Sequence, residues 1–130
     1  MGLEPDRKDR SYQFGRLLAV LEKAERDTYE QEEKREPNAI RMQSVFVQRP
    51  GYASKTIMEQ VKNAYYPRLT NSQRTYYEKT IGEIMQILSE TGEAEFNKPL
   101  KETYIMGYYL QKNLMYTKKT DENEEDSDNE

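Results

Sequence analysis

The chain has 130 residues, 35% of them hydrophobic and 34% charged, with a net charge of −4. That length predicts one domain, and the composition indicates a thin core to which the 11 tyrosines contribute much of the apolar area. Histidine and cysteine are absent, which excludes disulfides and removes the commonest general base and the main ligands of zinc. No apolar run is long enough to span a membrane and no signal sequence is evident, so we expect a cytoplasmic protein with no membrane partner.

The N-terminal part predicts a lead-in and one long helix. Residues 1–9 are polar and are expected to be flexible. Apolar residues recur at three- and four-residue spacing over 10–31, which predicts an amphipathic helix capped by Asp9 or Ser11. Gly15 within it predicts a close crossing by another helix, because glycine costs about 1 kcal/mol relative to alanine in a helix. The buried stripe is expected to consist of Phe14, Leu17, Leu18, Leu21, Ala24 and Thr28.

The next stretch predicts a linker and two shorter helices. Residues 30–38 are highly charged and read as the linker. A helix is favoured over 39–48, although the β-branched residues at 45–47 leave a strand open as the alternative. Pro50 and the glycine after it are expected to end that helix, and a second helix is expected over 52–66.

The C-terminal half predicts two longer helices and a tail. The cluster Thr-Asn-Ser begins a helix over 70–90, for which Gly92 is the expected C-terminal cap. The last helix is expected over 97–116, with Pro99 in its first turn. Residues 119–130 are acidic and of low complexity, and they cannot bury enough apolar surface to fold.

Together these elements predict an all-α domain over residues 1–118, followed by a disordered acidic tail over 119–130. Four to five helices on short connections are typical of an up-and-down bundle. Phe14, Leu17 and Leu21 are expected to face the last two helices.

No pattern in the sequence predicts catalysis. The six glycines are scattered and form no loop that could hold a phosphate. Adjacent carboxylates lie in solvated, charged stretches, where nothing would raise their pKa values. We therefore expect a non-enzymatic protein with no cofactor, no metal and no small-molecule substrate.

The charge is unevenly distributed along the chain. The segment 121–130 holds seven of the 24 acidic residues and no base, which leaves 20 basic against 17 acidic residues elsewhere. Basic side chains attract phosphate oxygens without any fixed spacing, so a basic middle predicts nucleic-acid contact. An ordinary solvated surface explains the same charges equally well. The candidate contacts are Arg41, Arg49, Lys55, Lys62, Arg68 and Arg74.

Two tyrosine doublets, at 65–66 and 76–77, flank the basic residues Arg68 and Arg74. Aromatic rings near basic groups can stack exposed bases. Adjacent residues on a helix point about 100° apart, so one ring of each doublet is expected in the core and the other at its rim.

Two stretches resemble a known family: FGRLLAVLEK at 14–23 and GYYLQK at 107–112. They are similar to the opening and closing motifs of the C-terminal region of the large subunit of the type I-C CRISPR surveillance complex, called Cascade. In that family the same region is also made separately, as the small subunit. A chain that begins just ahead of the first motif and ends just after the second resembles that small subunit.

This resemblance implies a non-catalytic helical bundle that assembles in several copies. Its implied partners are the large and backbone subunits, other copies of itself, and the R-loop that guide RNA forms with target DNA. Within the R-loop it would support the displaced non-target strand. The alternative is a helical protein–protein adaptor or regulator with no nucleic-acid role. A contiguous stripe of positive charge favours the first function, and dispersed charge favours the second.

Overall fold

The computed structural model describes residues 2–28 and 36–128, without the side chains of 93, 94 and 118–128. The described residues are mostly helical and contain no strand, so the all-α prediction is confirmed and the alternative of a strand at 45–47 is wrong. The described α-helices are α1 Arg10–Arg26, α2 Asn38–Arg41, α3 Gln43–Gln48, α4 Pro50–Gln60, α5 Asn71–Leu88, α6 Glu93–Phe96 and α7 Thr103–Asp128. A π-helical turn, Val61–Tyr65, and a 3-10 turn, Tyr66–Arg68, continue α4, and a second 3-10 turn, Ser89–Thr91, follows α5.

Helix α5 runs antiparallel to α1. Lys8, just before α1, forms an ion pair of 2.8 Å with Glu90, just after α5. At the other end, the hydroxyl of Tyr77 in the second turn of α5 donates to Asp27, which caps the C-terminus of α1. The two helices therefore lie side by side with opposite directions.

Helix α7 runs parallel to α1. Near the start of both, the Ser11 hydroxyl accepts a hydrogen bond of 2.8 Å from the backbone N–H of Lys101. Near the end of α1, the Lys23 ammonium lies 5.2 Å from the centre of the Tyr116 ring. The contact between these two helices is the most extensive in the described part of the fold.

The described residues from 36 to α5 run back along α1 and then return. The backbone N–H of Asn38 donates to Glu25 near the end of α1, at 2.5 Å. At the other end of α1, the rings of Phe46 and Phe14 meet edge to face at 6.0 Å. Helix α4 and its π turn then run back, so that the Tyr65 hydroxyl accepts from the side chain of Asn38. The described chain thus makes five passes up and down the bundle, as predicted.

Helix α1 is the central element, and all its side chains from residue 11 to residue 25 are buried. The predicted apolar stripe is correct, but the polar side of the helix is buried as well. Its buried polar residues include Gln13, Arg16 and Glu22, which are 0%, 3% and 2% exposed. Buried charges are costly unless they are paired and hydrogen-bonded, so α1 requires polar partners on the surrounding elements.

The apolar partners of α1 differ in part from those expected. Phe14 packs against Phe46 of α3 and Phe96 of α6, with ring centres 6.0 and 5.4 Å apart. It therefore packs against the short helices, which the prediction did not include among its partners. A sequence period shows which side of a helix is apolar, but it does not show which element covers that side.

Helices α1 and α7 meet backbone to backbone at two glycines. A Cβ atom placed on Gly15 would overlap the carbonyl oxygen of Tyr104, and one placed on Gly107 would overlap that of Tyr12. Only glycine allows this approach, because any other residue would force the helices apart. The prediction that a close helix crossing explains Gly15 is confirmed.

The lead-in before α1 lies against the bundle. The Gln13 amide donates to the carbonyl oxygens of Pro5 and Arg7, at 3.2 and 2.6 Å. The Arg16 guanidinium donates to Pro5 at 3.0 Å and to the Gln111 side chain of α7 at 2.9 Å. A flexible lead-in is expected over 1–9, whereas these bonds tie residues 5–7 to α1.

Two carboxylates of the α1 region, the buried Glu22 and the partly buried Asp27, accept hydrogen bonds from tyrosines. Tyr108 of α7 donates to Glu22, and Tyr77 of α5 donates to Asp27. Lys23 pairs with Asp27 at 3.1 Å. The pKa values of both tyrosine hydroxyls are raised well above the ordinary value for tyrosine. Burial is the larger cause, and the hydrogen bond to a carboxylate is the second. These bonds provide part of the polar pairing that the burial of α1 requires.

Several helix boundaries were predicted correctly from local signals. Asp9 caps α1 by accepting from the backbone N–H of Tyr12 at 3.2 Å. Thr70 and Gln73 form a reciprocal capping box at the start of α5. Gly92 has a φ of 83° after the turn that follows α5, as expected of a C-terminal cap.

Other boundaries in the first half differ from the prediction. Helix α1 ends at Arg26, and most of the predicted linker lies outside the described residues. The helix expected over 39–48 is interrupted at Met42. Pro50 begins α4 as its first residue, where its missing N–H costs nothing.

The last helix also differs from its predicted bounds. It begins at Thr103 rather than near residue 97, and Pro99 lies between α6 and α7. Its helical backbone continues to Asp128, past the expected end at Tyr116. The disorder expected over 119–130 and the domain boundary at residue 118 stay predictions. In the part of the chain that the structure describes, no helix is both long and apolar enough to cross a membrane.

Replacing Gly15 with alanine is expected to destabilise the fold, because the added methyl group would separate α1 from α7. Overpacking of this kind costs about 1–3 kcal/mol or more. Gly82 of α5 is the matched control, since nothing lies within 4 Å of its Cβ position. Gly82→Ala should therefore stabilise the protein by about 0.5–1 kcal/mol. Urea unfolding followed by circular dichroism measures both changes, and wild-type stability of Gly15→Ala would contradict the close crossing.

The free energy of unfolding should decrease as the pH rises above about 10, the ordinary pKa of tyrosine. The pKa values of Tyr77 and Tyr108 are raised in the folded state. The unfolded chain therefore loses these protons first, and stability present below the unfolded pKa is lost as the pH rises. Urea midpoints at about pH 8 and about pH 10.5 test this. The variant with both tyrosines changed to phenylalanine should lose less stability than the wild type over this interval. An equal loss in the two proteins would show that Tyr77 and Tyr108 do not cause the pH dependence.

Candidate nucleic-acid interface

The six predicted contact residues all belong to the elements between α2 and the start of α5. Five of them are exposed, and Arg74 is half-buried. Arg41 ends α2, Arg49 precedes α4, Lys55 lies on α4, Lys62 lies in the π turn, Arg68 lies in the following 3-10 turn, and Arg74 lies near the start of α5.

Helix α4 and its π turn order several of these residues along the bundle. The residues after Arg49 lie at the end where α1 begins, because the backbone N–H of Tyr52 donates to Asn97, beside the start of α7, at 3.1 Å. Lys62 lies at the opposite end, in the turn whose Tyr65 bonds to α2. The 16 residues from Pro50 to Tyr65 span about 24 Å at the helical rise. Basic residues thus occur at both ends of α4 and, at Lys55, between them.

The turn between α4 and α5 is fixed by its own sequence. Pro67 cannot continue a regular helix, because it lacks the N–H and its ring crowds the preceding turn. The capping box at Thr70 then begins α5, with Gln73 Oε1 accepting from the Thr70 N–H at 2.9 Å. Arg74 donates to the Asn71 side chain at 2.7 Å. These contacts define the turn that carries Arg68 and the start of α5 that carries Arg74.

The basic residues of this region differ from those near α1 in their partners. Among the described residues, no carboxylate lies within ion-pair distance of Arg41, Arg49, Lys55, Lys62 or Arg74. Two acidic side chains are nevertheless exposed in the same region, one on α4 and one on α5, and they reduce its positive potential. They are Glu59 and Glu78.

The tyrosine doublets are divided between core and rim, as predicted. Tyr65 and Tyr77 are buried, at 7% and 2% exposure. Tyr66 and Tyr76 are half-buried, and burial raises the pKa of Tyr66. The buried member of each doublet cannot stack a base, so the doublets contribute mainly to packing.

Sequence reasoning missed one exposed aromatic residue in this region. Tyr52 on α4 is 53% exposed, and the Arg49 guanidinium lies 5.0 Å from its ring centre. The available signal was spacing, because Tyr52 lies three residues before Lys55 and therefore on the same helical face. It was instead read only as the first residue of a predicted helix.

A concave region lies between the lead-in and α5, and its charge is mixed. This groove has a volume of about 670 Å³. Its lining includes Asp6, Lys8, Arg16, Lys79, Glu83 and Glu90. In the described residues no three acidic side chains converge to form a metal site. The groove therefore lacks the excess of basic over acidic side chains that distinguishes the α4 region.

One protein family matches the chain over residues 1–116, the CRISPR-associated protein family Cas_Csd1. The chain belongs to the Cas_Csd1 family. Neither the curated proteins nor the solved structures give a match. The matched residues include both motifs, at 14–23 and 107–112, so the family resemblance found in the sequence is confirmed.

The Cas_Csd1 match covers the whole candidate interface as well as α1 and the first half of α7. The two motifs lie on α1 and α7, where Gly15 and Gly107 serve the helix crossing. None of the six predicted contact residues lies in either motif. Their assignment to nucleic acid therefore stays a prediction, based on exposure and charge.

Proposed function

We propose that this Cas_Csd1 protein is a non-catalytic small subunit of a type I-C Cascade complex in the cytoplasm. It docks there on the backbone and large subunits beside other copies of itself, and it supports the displaced non-target DNA strand. The observation that carries this proposal is the family match over residues 1–116, which includes both motifs similar to the large subunit's C-terminal region.

The exposed basic residues along α4 support the nucleic-acid part of the proposal. In RNA-guided complexes base pairing reads the sequence, so a protein that holds the displaced strand needs backbone contacts rather than base readout. Arginine and lysine provide such contacts by neutralising phosphates and releasing counterions. A single copy would bind weakly, and repeated copies in one complex would increase the total affinity.

One observation favours the alternative of a protein–protein adaptor without a nucleic-acid role. Helix α7 buries one face against α1 and exposes apolar side chains on the other. The exposed apolar residues of that face are Ile105, Met106 and Tyr109, with exposures of 45%, 38% and 55%. Under this alternative the exposed apolar face of α7 binds a protein partner, and the basic residues are ordinary solvated surface.

Incorporation into the complex is the direct test. We expect the tagged chain, co-expressed with the other type I-C subunits and a guide RNA, to co-purify in a fixed copy number, because the family match implies a shared assembly. Native mass spectrometry of the purified complex measures that number. A chain that stays monomeric while the other subunits assemble would reject the small-subunit function and favour the adaptor.

Removing the basic side chains should weaken DNA binding and flatten its salt dependence. The test variant replaces Arg41, Arg49, Lys62, Arg68 and Arg74 with alanine. Each phosphate contact on a single strand contributes about 0.7 to the slope of log K against log salt, so five contacts would contribute about 3.5. Fluorescence anisotropy of labelled target DNA with the assembled complex, at several salt concentrations, gives the slope.

The control replaces three exposed lysines elsewhere, Lys8, Lys98 and Lys101. It lowers the positive charge without altering the α4 region, so its slope should remain near that of the wild type. Equal slopes for the test variant and the wild type would reject the assignment of these five residues to DNA contact and leave family membership intact.

A further inference from the structure

The junction between α3 and α4 presents an aromatic ring and a guanidinium to solvent as a pair. Tyr52 is 53% exposed, and the Arg49 guanidinium lies over one face of its ring at 5.0 Å from the centre. Arg49 is itself exposed, and no described carboxylate forms an ion pair with it. The pair is therefore available to a ligand that is both aromatic and negatively charged.

The backbone beneath this pair is held by α6 and the loop after it. The Asn97 side chain accepts from the Tyr52 backbone N–H at 3.1 Å. At Gly51 a Cβ atom would lie 2.8 Å from Cδ1 of Phe96, so α6 packs directly on the first turn of α4. A ring carried on a fixed backbone loses less conformational entropy when it binds than a ring on a loose loop.

The exposed face of α4 adds a second base beside the ring. Residues three and seven positions apart share a helix face, so Lys55 and the acidic Glu59 lie on the side of Tyr52. All three are exposed. The opposite side of α4 is buried and consists of Pro50, Ala53, Ser54 and Ile57. The ring thus lies between two basic groups, with one acidic group further along.

We propose that Tyr52 stacks an unpaired base of single-stranded DNA, while Arg49 and Lys55 contact the phosphates on either side. This inference rests on the proposed function and assigns the base-stacking residue of its strand-supporting surface. Stacking on an aromatic ring tolerates any base, because every base has a π face. It therefore suits a strand whose sequence the protein does not read. The guanidinium beside the ring adds a cation–π contribution.

Alanine and phenylalanine variants of Tyr52 separate the ring from its hydroxyl. We expect Tyr52→Ala to weaken binding of the full chain to fluorescein-labelled dT15 roughly tenfold, and Tyr52→Phe to bind within about twofold of wild type. Tyr109→Ala is the matched control, since Tyr109 is 55% exposed but lies on α7 against the ring of Tyr108. A duplex of the same length is the second control, because its bases are already stacked and Tyr52→Ala should leave its binding unchanged.

Photo-cross-linking provides a readout that a loss of stability would not produce. A dT15 strand carrying 5-iodouracil should cross-link to Tyr52, identified by mass spectrometry of the digested chain. The proposal would be overturned if the strand cross-linked to other residues instead of Tyr52. It would also be overturned if the alanine and phenylalanine variants lost equal affinity for dT15, or if Tyr52→Ala bound dT15 as tightly as the wild type. No detectable binding of dT15 by the wild-type chain would overturn it as well.

The two proposals fail separately. If the chain enters the complex but replacing Tyr52 does not change DNA binding, the small-subunit function is supported and the stacking site is rejected. If the chain does not enter the complex but binds dT15 in a way that depends on Tyr52, the stacking site is supported and the small-subunit function is rejected. Tighter binding of rU15 than of dT15 would overturn the choice of DNA as the ligand.

Discussion

The backbone contact between α1 and α7 is the constraint on which the rest of the fold depends. Gly15 and Gly107 each lie against a carbonyl group of the other helix, which brings the helix axes closer than side chains would allow. Because the helices are parallel, they cannot be joined by a short turn, and the chain between them must pass around them. Helices α2–α6 are that intervening chain. They cover the remaining sides of α1, which explains why α1 is buried along almost its whole length.

The same contact explains why a helix with so many polar residues can be central. Arg16 bonds to Gln111, and Glu22 accepts from Tyr108 and lies 3.6 Å from Lys112. Each of these pairs joins the motif at 14–23 to the motif at 107–112. The two motifs that reveal the family are therefore the two sides of one helix interface. Their mutual contacts therefore report how the protein folds.

Sequence signals that act locally predicted structure well, and those that depend on distant partners did not. The cap at Asp9, the box at Thr70 and the positive φ at Gly92 involve only neighbouring residues, so short patterns suffice to find them. Periodicity could not predict that the polar side of α1 is buried, because its partners lie about 90 residues away at Gln111 and Tyr108. Tyr52 was missed for a related reason. Exposure of a tyrosine depends on which side of its helix the rest of the fold covers.

The pairing of charges explains why the outward positive potential belongs to α4 and not to the central helices. Lys23 pairs with Asp27, the partly buried residue that caps α1, and Arg26 pairs with Glu22, which is buried within α1. Their fields are largely cancelled within the bundle. Lys55 and Lys62 have no such partner in the described part of the chain. The net charge of −4 therefore describes the chain as a whole, whereas a polyanion near α4 would meet local charges of the opposite sign.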